Sequence, residues 1–161
     1  MSKVLIPGSF DPITLGHIDI IKKCSGIFDE VIVMVGFNEA KKGFLSAEKR
    51  VAYAKDALND LTNVEVVSYS GLVVDFAFDN NVNLIVKGIR NREDYEYESE
   101  MAYVNNNLSF EKYNKGIETF FINSDPEYKY TSSTLVRKLL ELNLSIDKYV
   151  HNAKYLNEVL K

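Results

Sequence analysis

The 161-residue chain has no tryptophan, one cysteine (Cys24), two histidines (His17 and His151) and three prolines. A lone cysteine rules out an internal disulfide framework and fits a reducing, cytoplasmic location. Two histidines and one cysteine cannot supply a typical zinc site, so no metal site built from protein ligands is expected. No apolar run approaches the ~20 residues of a membrane span, and no membrane association is expected. The longest such run, Val31 to Phe37, reads as a buried strand. Strand-like sequence begins at Lys3, so no signal peptide is expected. There is no GxxxxGK(S/T), which excludes a P-loop enzyme, and no GxGxxG after the first strand, which argues against a dinucleotide dehydrogenase. There is no GxSxG elbow for a serine nucleophile. The net charge of −4 argues against a general nucleic-acid binder. It does not exclude an anionic small molecule, because local fields matter more than the total. Lys41, Lys42, Lys87, Arg90, Arg92 and Lys129 stand near predicted loops and helix starts. A scattered, solvated set is the plain alternative for them.

What is present is regular alternation. Strands are expected at Val4–Ile6, Val31–Val35, Val64–Val67, Leu84–Val86 and Thr119–Ile122. The second is continuously apolar, as strands covered on both faces are. Helices are expected at Leu15–Ile27, Ser46–Leu61, Leu72–Asn80, Asp94–Leu108, Ser133–Leu142 and Tyr149–Leu160. The clearest is the second, with Ala47, Val51, Ala54, Leu58 and Leu61 spaced by fours and threes. In the first, Leu15, Ile18, Ile21 and Ile27 share one side. Strict alternation of strand and helix predicts one α/β domain over residues 1–161: a doubly wound, Rossmann-like, five-stranded parallel sheet with helices on both faces. No linker, repeat or low-complexity run interrupts it. The acidic run Glu93–Glu100 reads mostly as a solvated helix face.

Ligands of such sheets bind at the carboxyl ends of the strands. Ser9–His17, Asn38–Gly43, Ser70–Gly71, Lys87–Arg92 and Asn123–Thr134 would therefore face one crevice. The first junction, KVLIPGSFDPITLGHID, is the most informative. A strand ends at Pro7–Gly8, and a helix starts near Thr14 with Gly16 and His17 in its first turn. A helix N-terminus carries about half a positive charge and several unpaired N–H groups, which suits phosphate. A histidine there can donate to a phosphate oxygen, and a glycine beside it lets a flat base approach.

PGSFDPITLGHIDII closely resembles the opening of bacterial phosphopantetheine adenylyltransferases, members of the nucleotidyltransferase superfamily with its HxGH or TxGH signature. KKGFLSAEKRV resembles that family's KK…F…EERV segment, KGIRNREDYEYE its RGLR…DFEYE segment, and YKYTSSTLVRKL its WSFISSSLV segment. Order and spacing agree over nearly the whole chain, and Thr14 gives the TxGH form. The resemblance implies transfer of the adenylyl group of ATP to 4′-phosphopantetheine, giving dephospho-coenzyme A and pyrophosphate. Because the nucleophile is already a phosphate anion, no general base is required. Catalysis would be positioning and charge stabilisation.

The resemblance also implies residue roles. His17, Lys41 and Arg90 would be catalytic, with His17 on the α-phosphate. ATP would be bound by Ser9, Phe10, Gly16, His17, Gly88, Ile89, Arg90 and Glu98. The segment Tyr128, Lys129, Tyr130, Thr131, Ser132, Ser133 and Thr134 would add to that site. Ser132 or Ser133 would also serve as an ordinary N-cap. Phosphopantetheine would be held by Ser9, Lys41, Val73 and Lys87. Lys87 departs from the family's usual arginine, keeping the charge but not the bidentate fork. Magnesium would arrive with ATP, coenzyme A would inhibit by feedback, and the assembly would be a homohexamer. Two rivals stay open on the residues alone. One is a nucleotidyltransferase with another phosphate acceptor; the other is a non-catalytic nucleotide- or coenzyme A-binding module.

Overall fold

A computed structural model describes all 161 residues. Five parallel strands, β1 (Lys3–Gly8), β2 (Glu30–Gly36), β3 (Val64–Tyr69), β4 (Leu84–Ile89) and β5 (Glu118–Asn123), form one sheet in the order β3-β2-β1-β4-β5. Six helices connect and flank them: α1 (Leu15–Ser25), α2 (Ala47–Ala57), α3 (Val73–Asp79), α4 (Arg92–Tyr113), α5 (Ser133–Glu141) and α6 (Ala153–Leu160). The predicted α/β fold is the one observed.

Strand periodicity explains the two-sided core. Val31, Val33 and Val35 of β2 point to one face, where Val4, Ile6, Ile21, Tyr53, Val136 and Leu156 join them. Ile32 and Met34 point to the other, with Leu5, Ile85, Val74 and Ala77. Both faces of β2 are covered, hence its unbroken apolar run. No helix is both long and apolar enough to cross a membrane.

Element ends differ from the sequence reading for identifiable reasons. β1 runs on through Pro7 and Gly8, in register with Met34 and Val35 of β2. On its other edge β1 is in register with β4 only at Leu5 and Ile85, so the two strands part beyond that point. A proline lacking its N–H is tolerated beside such a gap. Lys87, Gly88 and Ile89 belong to β4 rather than to a loop. α4 starts earlier than expected because the Asn91 side chain caps it, accepting from Asp94 N–H at 2.8 Å. It ends with Asn114 in the left-handed conformation. α6, by contrast, starts later than expected, capped by Asn152. α1 stops at Ser25, so Ile27 lies outside it and is exposed rather than buried. Cys24 is a buried core residue, as its apolar neighbours on α1 suggest.

Candidate active site

The parting of β1 and β4 opens a cavity of about 290 Å³ at their carboxyl ends. Two helix N-termini border it, those of α1 and α5, with their positive dipole ends. Ser9, Gly16, His17, Gly88, Arg90 and Glu98 line it, all of them expected from sequence. So do Thr131, Ser132, Ser133 and Thr134.

His17 sits in the first turn of α1. The Thr14 backbone N–H donates to its Nδ1 at 3.0 Å, and Thr14 Oγ1 stands 3.1 Å from the same atom. An Nδ1 that accepts from an amide leaves the ring proton on Nε2. Burial, with Arg90 and Lys87 nearby, lowers the pKa of His17 to about 4. At neutral pH the ring is therefore an uncharged donor. An unfolded histidine takes its proton near ~6.5, so protons favour the unfolded chain between that pH and about 4. This contribution to stability is complete above that window and is lost as pH falls through it. Titration followed by imidazole nitrogen NMR should find His17 neutral at pH 5.5; a midpoint near 6.5 would contradict the assignment.

Phe10 supports the histidine. Its ring packs edge-on against His17, with centroids 5.1 Å apart, and is otherwise buried in the core. Its backbone is left-handed, φ 43°, which folds the ring over Gly8. A Cβ on Gly8 would sit 2.9 Å from Phe10 Cζ, so only glycine fits there. The ring thus buttresses His17 from below. Gly88 permits close approach of another kind: a Cβ there would meet Ile20 of α1 at 2.8 Å. Ile89 is buried and lies off the cavity wall.

Arg90 is held in place before any ligand arrives. Its Nε and Nη2 form a fork with Asp94, at 2.9 and 3.1 Å, and its Nη1 donates to the Thr131 carbonyl at 2.9 Å. Burial pushes the Asp94 carboxyl up, but hydrogen bonds from Arg90 outweigh it and hold it below the usual carboxylate range. At the start of α5, Ser132 caps the helix through Leu135 N–H, and the Ser133 hydroxyl donates to the Pro12 carbonyl at 2.7 Å. Both hydroxyls are thus engaged structurally. The N–H groups of Ser133 and Thr134, without intrahelical acceptors like those of any first turn, remain as donors, as does the Ser132 hydroxyl, which only accepts in its cap. Tyr128 lies against Gly16, while Lys129 and the exposed Tyr130 stand outside the cavity lining.

A second cavity, about 210 Å³, adjoins the first and shares Pro7, Gly8, Lys87 and Glu98 with it. Lys87 Nζ stands 3.2 Å from Glu98 Oε1 and donates to the Pro7 carbonyl at 3.1 Å. Val73 lines this cavity, as do Tyr97, Met101 and Asn105 of α4. Lys41 lines neither; it lies on the exposed segment between β2 and α2.

Three cavity features went unread in the sequence: Asp94, Arg137 and the Tyr97–Met101–Asn105 face; Ser124 falls within the expected Asn123–Thr134 segment. Helical spacing was a usable signal for most. Arg137 follows Ser133 by one turn of α5, and its Nη1 donates to the Asp11 carbonyl at 2.6 Å. Asp94 and Glu98 share one stripe of α4, and Tyr97, Met101 and Asn105 the adjacent one.

Comparison with known proteins decides the family. The cytidylyltransferase-like family model matches residues 5–139. The phosphopantetheine adenylyltransferase of Streptomyces coelicolor is 44% identical over 139 residues, covering 86% of this chain and 84% of its own. That of Caldanaerobacter subterraneus is 41% identical over 150 residues, covering 93% and 91%. The chain belongs to the phosphopantetheine adenylyltransferases. A crystal structure from Vibrio parahaemolyticus, described as a nicotinate-nucleotide adenylyltransferase, superposes with a TM-score of 0.68. It is 21% identical and covers 99% of this chain and 95% of its own, a likeness of fold. Like other phosphopantetheine adenylyltransferases, the chain is a nucleotidyltransferase, with the TxGH signature at Thr14–His17.

Proposed function

We propose that the chain transfers the adenylyl group of ATP to 4′-phosphopantetheine, releasing pyrophosphate and dephospho-coenzyme A, in the penultimate step of coenzyme A synthesis. The observation that carries this reading is the pair of joined cavities with Lys87 and Glu98 on both walls. The first, bordered by helix N-termini and Arg90, suits a nucleotide polyphosphate. The second, with Val73, Tyr97 and Met101, suits a long, uncharged arm ending in a phosphate at Lys87.

A phosphate oxygen of the acceptor attacks the α-phosphorus of ATP in line. A new P–O bond forms, the bond to the β-phosphate oxygen breaks, and its electron pair leaves with pyrophosphate. His17 Nε2–H donates to an α-phosphate oxygen as charge builds there. The nucleophile is anionic from the outset, so no side chain needs to remove a proton. Arg90 and Arg137, with the first-turn N–H groups of α5, hold the β- and γ-phosphates. Magnesium enters as part of the ATP substrate, liganded by phosphate oxygens and water. Well-oriented reactants supply about 7–11 kcal/mol of barrier lowering. Lys41, from its exposed segment, would reach the acceptor phosphate only by moving toward the cavity. The same reading includes coenzyme A as an inhibitor of this site, a homohexameric assembly and a cytoplasmic location.

Acceptor phosphate labelled with oxygen-18 tests the bond order. All label should remain in dephospho-coenzyme A and none in pyrophosphate; label in pyrophosphate, or no dephospho-coenzyme A, would refute it. Lys87→Arg should stay within about threefold of the parent rate, because a guanidinium keeps the charge between the cavities. A folded but inactive variant would show that the ammonium's single-point geometry is required.

A further inference from the structure

We infer that Lys23 is a positioning residue for ATP: it ties the connection between β5 and α5 to α1, and so holds the α5 N-terminus beside His17. The inference rests on the nucleotide reading of the first cavity.

His17 is near the start of α1 and Lys23 near its end. Lys23 Nζ contacts three oxygens: Asp19 Oδ2 at 2.8 Å, the Asn123 carbonyl at 3.0 Å and Asp125 Oδ1 at 2.7 Å. An ammonium has three donors, and here all have acceptors. The Asp125 backbone N–H closes the network by donating to Asp19 Oδ2 at 3.0 Å. Asp19 is mostly shielded from solvent, with its side chain 12% exposed, whereas Asp125 is more open. Asn123 and Asp125 flank Ser124, which lines the cavity.

The far end of the same connection is held by Arg90, through the Thr131 carbonyl. Between the two ties, a single 3₁₀ turn (Pro126–Tyr128) lies over Gly16. Thr131 to Thr134 then follow into the cavity wall. The connection is thus fastened at both ends. One fastening, Arg90, lines the polyphosphate cavity. The other, Lys23, lies outside the cavity lining and acts on it only through Asn123 and Asp125, the neighbours of Ser124.

Without the ammonium, two carboxylates face one another, and the start of the connection keeps only the Asp125 N–H bond to Asp19, strained by that repulsion. ATP must then order it on binding. When only a fraction of molecules is competent, apparent affinity falls by that fraction. The acceptor cavity does not use this connection, so acceptor binding should be spared.

Lys23→Met, Lys23→Arg and Asp125→Asn test the idea, by steady-state kinetics with both substrates and by calorimetry of ATP binding without acceptor. Lys23→Met should raise KM and Kd for ATP about five- to tenfold, a competent fraction of about a fifth to a tenth. KM for 4′-phosphopantetheine should stay within about twofold, since the acceptor sees no change in competence. Lys23→Arg should recover most of the loss, and Asp125→Asn should add little to Lys23→Met because the Lys23–Asp125 contact is already gone. Unchanged ATP affinity in Lys23→Met, an equal rise in both KM values, or an arginine variant no better than methionine would overturn the inference. Calorimetry with ATP needs no acceptor. A wild-type protein that binds ATP but does not adenylylate 4′-phosphopantetheine would refute the proposed reaction and leave the test of Lys23 intact.

Discussion

His17→Ala lowers the rate of adenylyl transfer by a hundredfold or more, with ATP still bound and the fold retained. A preorganised donor aimed at developing charge is worth roughly 2.7–4 kcal/mol, or about two to three orders of magnitude in rate. His17 has the necessary preorganisation. Its Nδ1 is committed to Thr14 N–H, Phe10 fixes its ring plane, and its pKa of about 4 keeps Nε2 a neutral donor. Because the donor acts most strongly in the transition state, the loss should fall on kcat more than on KM for ATP. His17→Gln should recover part of it if its amide N–H reaches the same oxygen. A rate within tenfold of the parent in His17→Ala would remove the histidine from the mechanism. The shape of the kcat–pH profile from 6 to 8 should be the same in wild-type enzyme and His17→Gln, since His17 does not titrate there.

Asp11→Ala destabilises the protein by about 3–5 kcal/mol, the cost of leaving a buried charge without its partner. Asp11 and Arg50 are both buried. The carboxylate accepts from Phe44 N–H and Leu45 N–H, each at 2.8 Å, and lies 3.3 Å from Arg50 Nε. Arg50 also donates to the Leu45 carbonyl at 2.9 Å. Asp11 thus joins the loop bearing Ser9 to the segment leading into α2. Gly43 lies so close to the Arg50 guanidinium that no Cβ fits. Urea denaturation should show the loss as a lower midpoint with unchanged slope. Double replacement by Asp11→Ala and Arg50→Met should recover part of it, since no unpaired charge remains. A loss below about 1 kcal/mol in the single variant, the scale of an exposed pair, would show that the pair is not effectively buried.

The fold was readable because each strand of this sheet advertises its environment. The valines and isoleucines of Val31–Val35 cannot alternate with polar residues when both faces are packed, and the sequence pattern follows. The ends of elements were harder. Pro7 and Gly8 look like a strand terminus, and only the separation of β1 from β4 explains why the strand continues there. At the site, glycines and phosphate-binding segments were visible as motifs, but commitments of individual hydroxyls were not. Ser133 presents a hydroxyl in sequence; in the fold it is engaged by the Pro12 carbonyl, 121 positions away. Asp94, one turn beyond Arg90, was passed over within an acidic run whose other members are mostly solvated. The burial of Asp11 has no local signature, because its partners, Phe44, Leu45 and Arg50, are more than thirty positions distant. Local pattern reports secondary structure and motif; long-range polar pairing emerges only in three dimensions.

The measurement that bears most directly on the account is pyrophosphate release from magnesium ATP, compared with 4′-phosphopantetheine, with nicotinamide mononucleotide and with no acceptor. The joined cavities predict release with 4′-phosphopantetheine alone. Release with nicotinamide mononucleotide instead would overturn the acceptor assignment. No release with any of them, from folded protein that still binds ATP, would contradict the catalytic reading of His17 and its cavity.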